Sequence, residues 1–187
     1  MPTTIDQLAH PGQGTRLTHG DYQQIWREQG ATSLPDLPED PVFRRFSSTA
    51  AIFAAGAVYP VWWTDPEGER FVSHRHQNRQ PITFQELMEH EPLCREILER
   101  RQLHGRGQRA HSLVICEHCQ SHGVTVVKDG CKELLSVLWQ GKSLHPLIVV
   151  QVSGRDWSGS WGDMGFILHW RQEHSLRTQE KLKEGWR

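Results

Sequence analysis

The stretch from Ser112 to Val152 constrains the fold more than any other part of the chain. Ser112–Cys116 and Val124–Val127 are short β-branched runs, and a polar, glycine-containing segment, His118 to Gly123, separates them. That pattern predicts a β-hairpin. From Cys131 to Gln140 the apolar residues Leu134, Leu135, Leu138 and Trp139 recur at helical spacing, and Gly141 sits where a C-terminal cap belongs. Pro146–Val152 then reads as another strand. Strand, strand, helix, strand in this order predicts an α/β (α+β) protein in which a small mixed sheet is flanked by helices.

The flanking segments fit the same class. Tyr22, Ile25 and Trp26 suit an amphipathic helix over Thr18–Gln29, started by Thr18 or Asp21 and ended by Gly30. Three prolines between Ser33 and Pro41 predict an extended connector and a lobe boundary there. Tyr59–Thr64 and Glu69–His74 flank Asp65-Pro66-Glu67-Gly68, a second predicted hairpin. Thr83-Phe84-Gln85-Glu86 matches a capping box, and Pro92 predicts a second helix start near Glu91, so Thr83–Arg101 reads as two short helices packed on a sheet. The organisation expected is an N-terminal helix and connector over 1–41, one α/β domain over 42–171, and a polar helix or tail over 172–187.

Composition narrows the partners. Lys and Arg total 21 against 22 Asp and Glu, a formal charge of −1, which gives no electrostatic footprint for duplex nucleic acid. The longest apolar stretch, Ala50 to Trp63, is interrupted by Gly56 and Pro60 and falls short of the ~20 residues of a spanning helix. The first residues lack the basic head and apolar middle of a signal peptide, which predicts a cytoplasmic protein without structural disulfides. The four cysteines are then small hydrophobes, metal ligands or reactive thiols.

Three places carry candidate chemistry. At Asp129-Gly130-Cys131-Lys132 a strand meets a helix, where free backbone N–H groups and the helix dipole favour an anion. Gly130 would let a phosphate approach, Lys132 would add charge, Asp129 would act as base or metal ligand, and Cys131, its pKa lowered at the helix start, would be a nucleophile. The plain structural alternative is a turn glycine, a capping aspartate and a buried thiol. Cys116-Glu117-His118-Cys119-Gln120-Ser121-His122 has the CxxC spacing of a zinc knuckle, with Cys116, Cys119 and His122 as ligands and Cys131, His111 or His104 as a fourth; it is one half of a site. The loop Ser153–Met164 holds Asp156, Trp157, Trp161 and Asp163, offering stacking faces and carboxylates, or else a rigid plug for the core. Arg106 and Arg109 lie in a basic loop suited to phosphate.

The hairpin, the glycine-containing turn, the helix of about ten residues, the glycine and the strand together resemble the core of the ParB/sulfiredoxin-like superfamily, over roughly residues 82–152. In that superfamily the turn reads Gly-Glu-Arg-Arg, Gly-Gly-Cys-His-Arg or Asp-Gly-His-His-Arg. Here Asp129 and Gly130 match the start found in free-serine kinases, Cys131 falls on the sulfiredoxin cysteine, and Lys132 stands at a basic or histidine position. Glu133 departs from the pattern by placing a carboxylate where the family carries a phosphate-clamping arginine.

The resemblance implies a phosphorylated small molecule, a nucleotide with Mg²⁺, bound between the Gly130 turn and the Trp157–Trp161 loop, with phosphoryl transfer or hydrolysis as the reaction class. Two alternatives stand beside it: a non-enzymatic interaction module stiffened by Zn²⁺ and gripping a protein partner, and a thiol enzyme using Cys131.

Overall fold

The computed structural model describes residues 14–28, 37–53, 56–64, 71–72, 79–104, 112–140, 147–155, 157 and 163–184. In chain order the elements are β1 (Thr15–Leu17), α1 (His19–Glu28), β2 (Val42–Phe46), α2 (Ala50–Phe53), β3 (Ala57–Pro60), β4 (Trp63–Thr64), β5 (Phe71–Val72), β6 (Gln80–Pro81), α3 (Phe84–Glu89), α4 (Glu91–His104), β7 (Ser112–Cys119), β8 (Val124–Asp129), α5 (Cys131–Gln140), β9 (Leu147–Gly154) and α6 (Asp163–Glu184). The chain is a mixed α/β protein.

Six strands form one mixed sheet in the order β1-β2-β9-β7-β8-β3, and β5-β4-β6 form a second, small sheet. At the centre, β7 runs antiparallel to β8 and parallel to β9. Successive side chains of a strand point to opposite faces, so these central strands feed two cores. Val114, Cys116, Val127 and Val149 meet Ile52, Phe84, Leu87, Leu98, Leu134 and Leu138 on the face covered by α2 to α5. Leu113, Ile115, Val124, Val126, Val150 and Val152 meet Tyr22, Trp157, Met164 and Ile167 on the face covered by α1 and α6.

Local chemistry accounts for the boundaries. The Thr83 hydroxyl accepts the Glu86 N–H at 3.2 Å while the Glu86 carboxylate accepts the Thr83 N–H at 2.8 Å, a complete capping box. Between Ile115 and Cys116 the register with β8 slips, because Ile115 faces Asp129 whereas Cys116 faces Val127. Lys128 is the extra residue of that bulge, and such irregularities re-aim a side chain. Its ammonium donates to Asp163 at 2.5 Å, tying the end of β8 to the start of α6.

Several expectations shift. The run Tyr59–Thr64 is not one strand: Ala57–Pro60 joins the main sheet parallel to β8, and only Trp63–Thr64 pairs with Phe71–Val72 as the hairpin predicts. Pro60, which has no N–H to donate, ends the edge strand. The described part of the N-terminal segment is built into the main fold, since β1 pairs with β2 and Tyr22 is fully buried. The last helix runs unbroken from Asp163 to Glu184, across the boundary expected at residue 172. The proline-rich connector at 33–36 and the turn at 65–68 lie outside the described residues.

Candidate functional site

The strand–glycine–helix turn forms as the sequence predicts, but its interior is already occupied. Gly130 has φ of +79°, the left-handed region that glycine enters without strain. A Cβ there would lie 2.3 Å from the Leu113 carbonyl oxygen and 2.8 Å from Val114 Cα. The close approach that glycine permits is therefore taken by the backbone of β7. Asp129 Oδ1 accepts the Gly130 N–H at 2.8 Å, and the Gly130 carbonyl accepts the Leu134 N–H at 2.9 Å.

Cys131 does not have the lowered pKa expected of a first-turn thiol. Burial pushes it up to about 12, with a smaller opposing effect from the Val61 backbone. Its Sγ donates to the Val127 carbonyl at 3.3 Å, inside the core shared with Leu134 and Leu135. Desolvation outweighs the helix dipole here because the dipole contributes at most a fraction of what full burial of a thiolate costs. Lys132 and Glu133 are half-buried beside it.

The CxxC pair is likewise not a knuckle. The strand runs on through Cys119 instead of turning at His118, so residues three apart face opposite ways. Cys116 belongs to the core under α5 and Cys119 to the core under α6. Cys116 Sγ donates to the Val150 carbonyl at 3.6 Å. Among the described residues no group of three or more His, Cys, Asp or Glu side chains is placed to hold a metal ion.

Trp157 is buried, and its indole N–H donates to the His118 carbonyl at 3.2 Å, the plug rather than the stacking platform. Arg106, Arg109, Asp156, Trp161, His111 and the loop around them lie outside the described residues.

A cavity of 520 Å³ opens at the other end of β8, between the β7–β8 turn and α6, lined by His122, Gly165, Leu168, His169, Arg171 and Gln172. That volume is in the range of small-molecule sites, roughly 300–1,000 Å³. Arg171 is half-buried, and its Nη1 is shielded from solvent with no hydrogen-bond partner among the described residues. Its guanidinium also bonds the Tyr59 phenol, whose pKa burial raises and Arg171 partly offsets. The guanidinium gives this wall of the cavity a positive charge with planar N–H donors, a geometry that suits an anionic oxygen.

His122 is held from behind. Its Nδ1 lies 2.8 Å from Ser121 Oγ and 3.4 Å from Cys119 Sγ, and Ser121 Oγ stands 2.6 Å from the Arg155 carbonyl. His169, on the next turn of the lining, pairs with Glu173 at 3.3 Å. The six residues were missed as a group in the sequence. The available signal was spacing: Gly165, Leu168, His169 and Gln172 fall on one helix face at i, i+3, i+4 and i+7.

No family model matches this chain, and no curated protein or solved structure matches it significantly.

Proposed function

We propose that this protein binds a phosphorylated small molecule in the cavity between the β7–β8 turn and α6. The observation that carries the reading is the Arg171 guanidinium on the wall of this cavity, beside two imidazoles, His122 and His169. Arginine holds phosphate through directed N–H donors, and a histidine at the same wall adds a ring nitrogen that can donate or accept a hydrogen bond. The ligand class is the one the sequence suggests; the seat is moved from one end of β8 to the other.

The finer fold reading, a ParB/sulfiredoxin-like core, rests on the strand, strand, helix, strand order of β7, β8, α5 and β9 and on the Asp129-Gly130-Cys131-Lys132 turn. Within that reading the ligand is a nucleotide whose Mg²⁺ is carried on its own phosphates, and phosphoryl transfer or hydrolysis is the reaction class. The four cysteines are free and buried, in keeping with a reducing, cytoplasmic setting.

A thermal-shift series with inorganic phosphate, AMP and ATP, with and without Mg²⁺, tests the proposal. A phosphate compound should raise Tm in the native protein and lose that effect in Arg171→Gln. Stabilisation that survives the substitution, or none from any compound, would refute it.

A further inference from the structure

The second wall of the cavity specifies what else the ligand carries. Ser121 Oγ and the Arg155 carbonyl oxygen are 2.6 Å apart, and a carbonyl has no hydrogen. The hydroxyl proton must lie between them, or two oxygens would face each other lone pair to lone pair. Ser121 Oγ can then only accept at its 2.8 Å contact with His122 Nδ1. Cys119 Sγ is directed at the same carbonyl, 3.7 Å away, so its weak S–H is engaged there as well. The neutral His122 ring therefore carries its proton on Nδ1. Its other nitrogen, Nε2, has no hydrogen-bond partner among the described residues, and the ring lines the cavity.

From this arrangement we infer that His122 Nε2 is a fixed hydrogen-bond acceptor, and that the site selects an anion bearing a hydroxyl, of the sugar-phosphate or polyol-phosphate class. The inference rests on the phosphate-binding reading above and deepens it. Arg171 takes the anionic oxygen; His122 accepts from a hydroxyl on the same molecule. Ser121 is a positioning residue that acts through the ring. An analogue lacking the hydroxyl forgoes this hydrogen bond and binds more weakly by about its net worth.

Two measurements separate this from the anion reading. In the first, ¹⁵N spectra of the imidazoles in the ligand-free protein report the tautomer directly; a protonated Nδ1 and bare Nε2 are expected for the neutral His122 ring. A proton on Nε2 would overturn the inference whatever binds. In the second, glycerol 3-phosphate and propyl phosphate are titrated into the native protein, Ser121→Ala and Arg171→Gln. Glycerol 3-phosphate should bind roughly tenfold tighter, the size of one satisfied hydrogen bond. Ser121→Ala should erase most of that preference, bringing glycerol 3-phosphate down toward the affinity of propyl phosphate, an effect that simple loss of packing would not produce. Arg171→Gln should weaken both compounds. Equal affinity for the two in the native protein, with Arg171 still required, would sink the hydroxyl inference and keep the anion site. Failure of both compounds to bind would remove the anion site and the ligand class with it.

Discussion

The two ends of β8 each carry a turn glycine, and they differ in what the turn faces. At the C-terminal end, Gly130 backs onto Leu113 and Val114 with no room for a Cβ. At the N-terminal end, Gly123 at φ of +58° sends its carbonyl to the Ala57 N–H at 3.0 Å, and the neighbouring His122 side chain is left facing a cavity. Glycine in a turn thus answers two different needs: close packing of the chain on itself, or a change of direction that exposes the adjacent residue. Only the second leaves a site.

The largest effect that sharpens this contrast belongs to the closed end. Gly130→Ala imposes a left-handed conformation on alanine and drives its Cβ into the Leu113 carbonyl. A loss of about 3 kcal/mol is expected, lowering Tm by roughly 10 °C. Thermal or urea unfolding measures it. Phosphate-ester affinity of the folded protein should be unchanged, and a variant that keeps its stability but loses its ligand would reverse the roles assigned to the two ends.

At the open end, Arg171→Gln should cut phosphate-ester affinity by roughly tenfold to a hundredfold, the range of a hydrogen bond to a charged group, with a small effect on Tm. Titration calorimetry gives the ratio. A large drop in Tm with intact affinity would make Arg171 a structural partner of Tyr59 and nothing more.

The core under α5 also carries a pH signature. Burial raises the thiols of Cys131 to about 12 and Cys94 to about 11, from an ordinary value of 9.0. Folding holds these protons that the unfolded chain gives up, so their contribution is complete below pH 9 and is lost as pH rises through 11 and 12. Alkaline unfolding curves should steepen above pH 9 and lose part of that slope in Cys131→Ala. Rapid alkylation of Cys131 by iodoacetamide at neutral pH would contradict the burial. The smallest effect concerns metal: the hydrogen bonds from Ser121 and Cys119 to Arg155 hold the hairpin turn, so EDTA should leave Tm unmoved. A fall on chelation would place a metal at the open end.

The elements most legible in the sequence are those specified by neighbours in the chain. The β7–β8 hairpin, the Thr83 capping box, the start near Pro92 and the Leu134–Leu138 face of α5 all follow from local spacing. Less legible were arrangements that need distant partners: the parallel pairing of β3 with β8, and the covering of one sheet face by α1 and α6. The CxxC reading failed through one local error, because extending β7 by three residues to Cys119 converts a turn into a strand and separates the thiols. The cavity was hidden for a further reason. Its walls, His122 and Gly165–Gln172, come together only when α6 lies along β8, and the Lys128–Asp163 pair that fixes this involves a bulge no periodicity announces.

A single titration sets the two ends of the strand against each other. Glycerol 3-phosphate added to ¹⁵N-labelled protein should shift the imidazole signals of His122 and His169 and the guanidinium signal of Arg171, while the amides of Gly130, Cys131 and Lys132 stay in place. Movement confined to those three amides would return the ligand to the helix start and contradict the site assigned to the cavity.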